Sequence, residues 1–505
     1  MRRSFLSKLE KKFGFFPSLP NYDMRLRDFI QEVREIEVFG STDVIIEGIT
    51  SDSREVAPGY VFFAYQGEKS DGRFFIPEAI KKGAKVIVTD SLPEKLTPNV
   101  TYCLTPAVKK ALGVFTKIFY NKIDEAMAVL GITGTQGKTT TAYLLRKILL
   151  TAGYDCGLIS TIKYYDGEEW KIAENTTPEI YKIFSILSKL YKKGIRHCVM
   201  EVSSHAISLD RVFGLKFKGA GFTNLSPEHL DFHQTIEEYK KAKMKLFQDL
   251  PADSFTVYNS DDPVGKEIEK LTKAEKISYG IKETAMIKGE IKRMNLSGMD
   301  FSIIVEGREK RLRSFLIGEM NLYNILCAYG LAWGLKIKEE HIMMGIEAFR
   351  GVKGRLERVE NDKGFEIFID YAHTPKALEN LLLTLKPLGK RIILVFGCGG
   401  ERDKLKRPAM GEIATGLADW VIITSDNPRY EDPEQIIEDI TKGIRKENYE
   451  KILNRREAIK KAISLAKRGD LVVIAGKGHE DYQIIKGEKL KFSDREEVEI
   501  ALRLK

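Results

Sequence analysis

The chain has little that would tie it to an oxidising or membrane environment. Its 505 residues include five cysteines, at 103, 156, 198, 327 and 398, too far apart for any CxxC pair. That pattern excludes a disulfide framework and a structural zinc, and it suits a reducing cytoplasm. Long hydrophobic runs are missing too. The longest, such as RIILVFG at Arg391–Gly397, are of strand length, well short of the ~20 apolar residues a membrane span needs. No arginine-rich tract or aromatic–basic interleaving marks a nucleic-acid groove. Net charge is only +9, with 81 basic residues against 72 acidic, a mild excess that suits small anionic substrates. Glutamine is scarce beside abundant Lys and Glu, a pattern of thermophilic chains that bears on stability rather than function. The basic stretch MRRSFLSKLEKKFGFFPSLP scatters its apolar residues and shows no small-residue cleavage site. It reads as a short helical extension over residues 1–25, with a targeting or membrane-surface segment as the alternative.

What is present is a soluble α/β pattern, 43% apolar and 30% charged, too long for one core. Three segments emerge. Residues 1–126 hold short strands and turns. Residues 127–351 begin with a strand, a Gly-Thr-rich turn and a long helix, then continue in αβ alternation. Residues 352–505 repeat strand-then-helix units. In this last segment four apolar runs each end in polar or glycine residues: FEIFID-YAHTP, RIILVFG-CGGERDK, WVIITS-DNPR and LVVIAG-KGHED. Near-continuous Val/Ile/Leu runs separated by helices indicate a parallel sheet buried on both faces. Ligands of such sheets bind outside the carboxyl ends of the strands, so all four polar clusters are expected on one rim.

AVLGITGTQGKTTTAYLLRKILL reads as strand, loop, helix. Gly134 and Gly137 let the backbone turn its N–H groups toward phosphate, Lys138 supplies a cation to the β/γ oxygens, and Thr139 is placed for Mg²⁺. Ile132 stands where the general GxxxxGK[ST] spacing calls for glycine, so the loop is a variant of that pattern.

GITGTQGKTTT resembles the TGTNGKTTT loop of the Mur ligases, with Gln136 in the usual asparagine place. ENTTP, MEVSSHAISLDRV, FTNLSPEHLDFH, YKKAKMKLF, VYNSDD, IGEMNLYNILCA, GVKGRLE, DYAHTP, GCGGERDKLKRP, SDNPR and GKGHEDYQ follow in that family's order. Together they resemble its MurE type, whose members add the third residue of the peptidoglycan stem peptide to a UDP-N-acetylmuramoyl-dipeptide. The resemblance implies three α/β domains: a UDP-binding domain, a P-loop ATPase-like domain and a Rossmann-like domain. It implies ATP and Mg²⁺, a carboxylate activated as an acyl phosphate, and attack by an incoming amine. The reading is of a monomeric cytoplasmic enzyme without nucleic-acid partner or membrane span.

Residue by residue, the resemblance places the nucleotide on Gly134, Thr135, Gln136, Gly137, Lys138, Thr139 and Thr140, with Asn324, Arg355, Asp370 and His373. Glu201 and His229, each following a strand, are implied Mg²⁺ ligands alongside Thr139, although Pro227-Glu228 replaces the more frequent Arg-Asp before that histidine. Helical spacing puts Lys243 on one stripe with Tyr239, Leu246 and Phe247, away from Lys240, Lys241 and Lys245. A partly buried lysine has a lowered pKa and a neutral amine able to take up CO₂. In the family this lysine is carbamylated and helps hold a second Mg²⁺; a snorkelling surface lysine is the alternative on residue type alone. For the nucleotide-sugar peptide, the matches are Ser51, Ser53, Glu68, Lys69, Ser70, Asn175, Thr176, Thr177, Ser203 and Arg211. Leu209 stands where a glutamine is frequent.

The third residue is meso-diaminopimelate or L-lysine in that type of enzyme. Diaminopimelate carries a distal ammonium and carboxylate beyond its reacting amine. Arg429 of Asp426-Asn427-Pro428-Arg429 suits bidentate capture of that carboxylate, with Arg402 holding another. Asp426, Asn427 and Glu480 are suited to the ammonium, and Gly476 to close backbone approach. DNPR is associated with the diaminopimelate enzymes of the family. The open alternatives are the same reaction with L-lysine, a related folylpolyglutamate synthetase, or a nucleotide-binding regulator without catalysis.

Overall fold

Branched apolar runs form three sheets among residues 24–67 and 70–505, which are the residues described by this computed structural model. The basic extension up to residue 23, with Glu68 and Lys69, lies outside the described residues. The first sheet runs in space Glu37–Phe39, Thr101–Leu104, Val86–Thr89, Tyr60–Ala64, Gly48–Thr50, and only its Glu37–Phe39 edge is antiparallel.

The second sheet has a parallel core centred on Ala128–Thr133, flanked by His197–Glu201 on one side and Gly219–Phe222 on the other. Antiparallel strands extend both edges. Ala128–Thr133 delivers the chain into the phosphate loop, and helix Lys138–Thr151 carries it back across the sheet. That helix buries Leu144, Leu145, Ile148 and Leu149 completely, each worth about 1.5–3 kcal/mol of apolar burial. Register sets Glu201 directly beside Ile132, so the acid emerges next to the loop.

The third sheet is ordered Glu357–Val359, Glu366–Asp370, Leu471–Ala475, Ile392–Phe396, Trp420–Ile423, Tyr449–Lys451. All its pairings are parallel except the first. Glu366–Asp370 is preceded in the sheet by the short antiparallel edge Glu357–Val359. Asp370 pairs with Ala475, and Phe396 with Ile423, so the four polar turns do leave the sheet on one rim. A hairpin, Tyr482–Ile485 with Glu488–Lys491, stands beyond that rim.

Candidate active site

Residues of the second and third sheets together line a cavity of ≈ 290 Å³. Its floor is the phosphate loop. Gly134 (φ +143°) and Gly137 (φ +86°) adopt conformations closed to other residues. A Cβ on Gly134 would lie 1.9 Å from Thr223 Oγ1, and one on Gly137 would lie 2.1 Å from Asn324 Oδ1. The loop is pinned from the 223–226 segment. Asn224 accepts from the N–H groups of Thr135 (2.8 Å, at its carbonyl) and Gln136 (3.0 Å, at Oδ1), and Thr223 Oγ1 donates to the Gln136 carbonyl at 2.6 Å. Lys138 Nζ donates to the Gly134 and Thr135 carbonyls, both at 2.8 Å, folded over the loop where an anion would sit. Gly137→Ala is expected to weaken ATP binding at least about tenfold, since the left-handed backbone alone costs ~1–2 kcal/mol for a side chain. Isothermal titration with a non-hydrolysable ATP analogue checks this.

Beside the loop, Thr139 Oγ1 donates to Glu201 Oε2 at 3.1 Å. Glu201 is wholly buried and also accepts from Thr161 N (2.9 Å) and Thr161 Oγ1 (3.0 Å). Arg355 reaches across from the start of the third segment, its guanidinium 3.4 Å from Thr139 Oγ1 and stacked on the Tyr371 ring at 4.5 Å. No three His, Cys, Asp or Glu side chains gather as a ready metal nest among the described residues. Mg²⁺ does not require one, because it takes one or two carboxylates, keeps waters and binds substrate phosphates. A hydroxyl and a fixed carboxylate opening onto the phosphate floor fit that ion.

Lys243, in helix Ile236–Gln248, is 1% exposed and donates to the Gly134 carbonyl at 2.8 Å, over the Tyr239 ring at 4.4 Å. The helix buries Tyr239, Lys243, Leu246 and Phe247 together and leaves Lys241 exposed and Lys240 and Lys245 half-buried. Burial, helped by the neighbouring Lys138 charge, holds the Lys243 pKa well below its usual value. His229 (φ +58°) has its ring pKa pushed down to about 4, chiefly by desolvation in the cleft, and the ring is neutral at physiological pH although its side chain is 42% exposed. Glu228, next to it, lies 3.5 Å from His373 Nε2 across the cleft. Burial opposes its charge, but the His373 hydrogen bond and the Lys138 charge outweigh that and hold its pKa well below the carboxylate range. Asp370 is fixed by the N–H groups of Leu356 (2.6 Å) and Ala372 (2.8 Å). Asn380 Nδ2 approaches Gln136 Oε1 at 3.4 Å, a further contact across the cleft.

Thr135, Gln136, Gly137, Lys138, Thr139, Thr140, Glu201, His229, Lys243, Asn324, Arg355, Asp370 and His373 thus share one cavity wall, joined by Thr176 and Ser203. Thr177 Oγ1 donates to the Glu201 carbonyl at 2.8 Å and accepts from Ser203 N at 3.0 Å. Ser203 caps helix Ser204–Ser208, and the Asn175 carbonyl accepts from Tyr164. Arg211, matched to the muramoyl-peptide contacts, is already paired. Its Nε is 2.8 Å from Glu179, so a substrate carboxylate has to displace that partner. Ser51 is half-buried at the end of strand Gly48–Thr50. Ser53 is buried against Glu78 at 3.2 Å, leaving its hydroxyl engaged. Ser70 is exposed beside the undescribed pair Glu68 and Lys69.

The rim residues form a separate cluster, adjoining the cavity through Tyr371, whose ring is 4.9 Å from His479. Asp426, Asn427 and Pro428 are buried. Arg429 (φ +55°) is held by its own backbone, N–H to Ile484 O (3.0 Å) and carbonyl from Lys486 N (2.6 Å). Its guanidinium donates to the Gly400 carbonyl at 2.6 Å. Arg402 is exposed and, among the described residues, bonds only the Glu401 carbonyl, 3.2 Å away. A Cβ on Gly399 would lie 3.1 Å from Arg429 Nη1 and 3.9 Å from Arg402 Cγ, so the two arginines face one space. Among the described residues neither has a carboxylate within ion-pair distance, unlike nearby Arg407, which takes Glu431 and Asp439 at 3.0 Å each. A Cβ on Gly476 (φ +114°) would meet Asp426 Oδ2 at 2.7 Å.

Sequence reasoning passed over Asn224, Glu228, Tyr239, Asn380 and Lys477 as site residues. Asn224 and Glu228 sit in the FTNLSPEHLDFH stretch and were legible only as context for His229. Asn380 and Lys477 carry no local signal, since their positions depend on how the third sheet packs.

The Mur ligase family, catalytic domain model matches residues 45–120. The Mur ligase middle domain model matches 132–332, and the Mur ligase, glutamate ligase domain model matches 354–478. The UDP-N-acetylmuramoyl-L-alanyl-D-glutamate--2,6-diaminopimelate ligase 1 of Clostridium acetobutylicum is 41% identical over 476 residues, covering 94% of this chain and 98% of that protein. A solved UDP-N-acetylmuramoyl-L-alanyl-D-glutamate--2,6-diaminopimelate ligase superposes with TM-score 0.70 at 30% identity, over 95% of this chain and 99% of its own. A MurF ligase from Thermotoga maritima in complex with ADP shares the fold at TM-score 0.64 and 20% identity, over 92% and 99%.

Proposed function

Because the chain belongs to the Mur ligase family, we propose that it joins meso-diaminopimelate to UDP-N-acetylmuramoyl-L-alanyl-D-glutamate, with ATP converted to ADP and phosphate. It is a ligase of peptidoglycan precursor synthesis. We assign residues 1–126 to the uridine diphosphate end, 127–351 to the nucleotide and 352–505 to the amino acid. Among the described residues no helix is long and apolar enough to cross a membrane, and we place the enzyme in the cytoplasm.

The chemical difficulty is that a carboxylate and a triphosphate repel. Lys138 and Arg355 offset the phosphate charge, and loop N–H groups orient the γ-phosphoryl. The substrate carboxylate attacks the γ-phosphorus and ADP leaves. The amine of diaminopimelate then attacks the acyl carbon, phosphate leaves, and the nitrogen loses a proton. Thr139, Glu201 and His229 would hold Mg²⁺, with a carbamylated Lys243 toward a second ion; bound there, magnesium would supply charge neutralisation at the transferring phosphoryl. Lys243, neutral in its buried position, adds its lone pair to CO₂ and loses a proton, becoming a carbamate able to hold a cation. Crystals of the Mg-nucleotide complex should show that carbamate on Lys243; an unmodified amine there refutes it.

The observation that carries the choice of amino acid is the pair Arg402 and Arg429, without carboxylate partners, beside the acids Asp426 and Glu480. L-Lysine would leave Arg429 unpaired, a mismatch that discriminates by several kcal/mol, on the order of 10⁴-fold. Phosphate release should require ATP, the UDP-linked dipeptide and diaminopimelate together. Release without the UDP-linked substrate would return the choice to another member of the family.

A further inference from the structure

Strand Leu471–Ala475 ends in the turn Gly476-Lys477-Gly478-His479-Glu480. Lys477 within it is 0% exposed. A buried ammonium survives only with partners, and the reaction above gives this one no task. Lys477 Nζ donates to Asn427 Oδ1 and to Glu480 Oε2, each at 3.0 Å. It also lies 5.5 Å from the centre of the Tyr482 ring. Asn427 Oδ1 takes a second donor, the Ile484 N–H at 3.0 Å. Two donors on one oxygen fix the amide orientation and turn Nδ2 toward Glu480 Oε2, 2.9 Å away. Glu480 Oε2 is thereby occupied twice, while Oε1 has no hydrogen-bond partner among the described residues.

The cluster holds two carboxylates, Asp426 and Glu480, against three cations, Lys477, Arg402 and Arg429, while the buried Arg455 behind them is balanced by Asp494 at 2.7 Å. A zwitterionic end adds no net charge to such a site. A bare ammonium bound at Glu480 adds a positive charge to one already in excess, beside the buried Lys477 that shares that carboxylate.

We infer that Lys477 is a specificity-determining positioning residue: it aligns Asn427 and Glu480, and its charge offsets that of Glu480. The site then accepts an ammonium only when a carboxylate accompanies it. This assignment rests on the proposed amino-acid reading.

The test is the ratio of kcat/KM for meso-diaminopimelate to that for L-lysine in the full-length enzyme and in Lys477→Met. Substitution should lower the ratio at least about tenfold, through a higher diaminopimelate KM and greater use of lysine. The KM for ATP and the Lys477→Arg ratio should stay close to wild type. An unchanged ratio in Lys477→Met, or equal losses on both amino acids, overturns the assignment. Should Lys477→Met not fold, Lys477→Met/Glu480→Gln leaves no unpaired buried ion. Its diaminopimelate KM should equal that of Glu480→Gln alone, and a further rise overturns the coupling. Wild-type enzyme without diaminopimelate-dependent turnover overturns the underlying reading, and this assignment with it. Normal wild-type turnover with an unmoved ratio overturns this assignment alone.

Discussion

Lys138→Ala is expected to lower turnover on the order of 10³-fold, the scale on which a preorganised charge at a reacting centre acts. Lys138 Nζ sits between the Gly134 and Thr135 carbonyls, on the floor of the cavity. Those carbonyls bind it weakly compared with a triphosphate, so the ammonium is free to move to the β/γ oxygens when nucleotide enters. Alanine removes the cation while leaving the rest of the loop's anchors intact: Thr223, Asn224 and the N–H groups they hold. Folding should change little, since two neutral-acceptor bonds contribute about 1 kcal/mol each. Phosphate release under saturating substrates checks the effect, with the thermal midpoint as control. Turnover retained within tenfold would remove Lys138 from its assigned phosphate role.

Arg429→Ala should lower kcat/KM for diaminopimelate by about 10²–10⁴-fold, mostly through KM, with the KM for ATP unmoved. The backbone at Arg429 is left-handed, φ +55°, and alanine bears the same strain there as arginine. Its two backbone bonds to the 482–491 hairpin also survive the change. What is lost is a guanidinium that, among the described residues, bonds only the Gly400 and Asn427 carbonyls and has no carboxylate partner. Arg429→Lys should recover little of the loss, because a point charge cannot reproduce the bidentate fork. Steady-state kinetics with the amino acid varied decides it; equal rises in the KM for ATP and for diaminopimelate would show a general structural defect instead.

Both residues were legible in the sequence for the same reason. Lys138 follows a strand and opens a helix, and Arg429 follows an apolar run of a parallel sheet, so local pattern located each at a strand's carboxyl end. Lys243 was legible through helical spacing, which placed it with Tyr239, Leu246 and Phe247, all buried in the structure. Its burial is complete rather than partial, because the phosphate-loop carbonyl of Gly134 lies over it. Tertiary partners were not legible. Nothing local announces that Asn224 pins the loop, that Glu179 occupies Arg211, or that Ser53 spends its hydroxyl on Glu78. These contacts join segments distant in the chain, and no periodicity encodes them. Lys477 lies within a quoted motif, yet its significance arises only once Asn427 and Glu480 close around it.

A rim site built to read a carboxylate as well as an ammonium should discriminate strongly against L-lysine. A single reaction with ATP, UDP-N-acetylmuramoyl-L-alanyl-D-glutamate and equal meso-diaminopimelate and L-lysine tests it, with the two products separated by mass. The diaminopimelate product should dominate almost completely. Comparable amounts of the lysine product, or lysine product alone, would contradict the carboxylate clamp of Arg402 and Arg429.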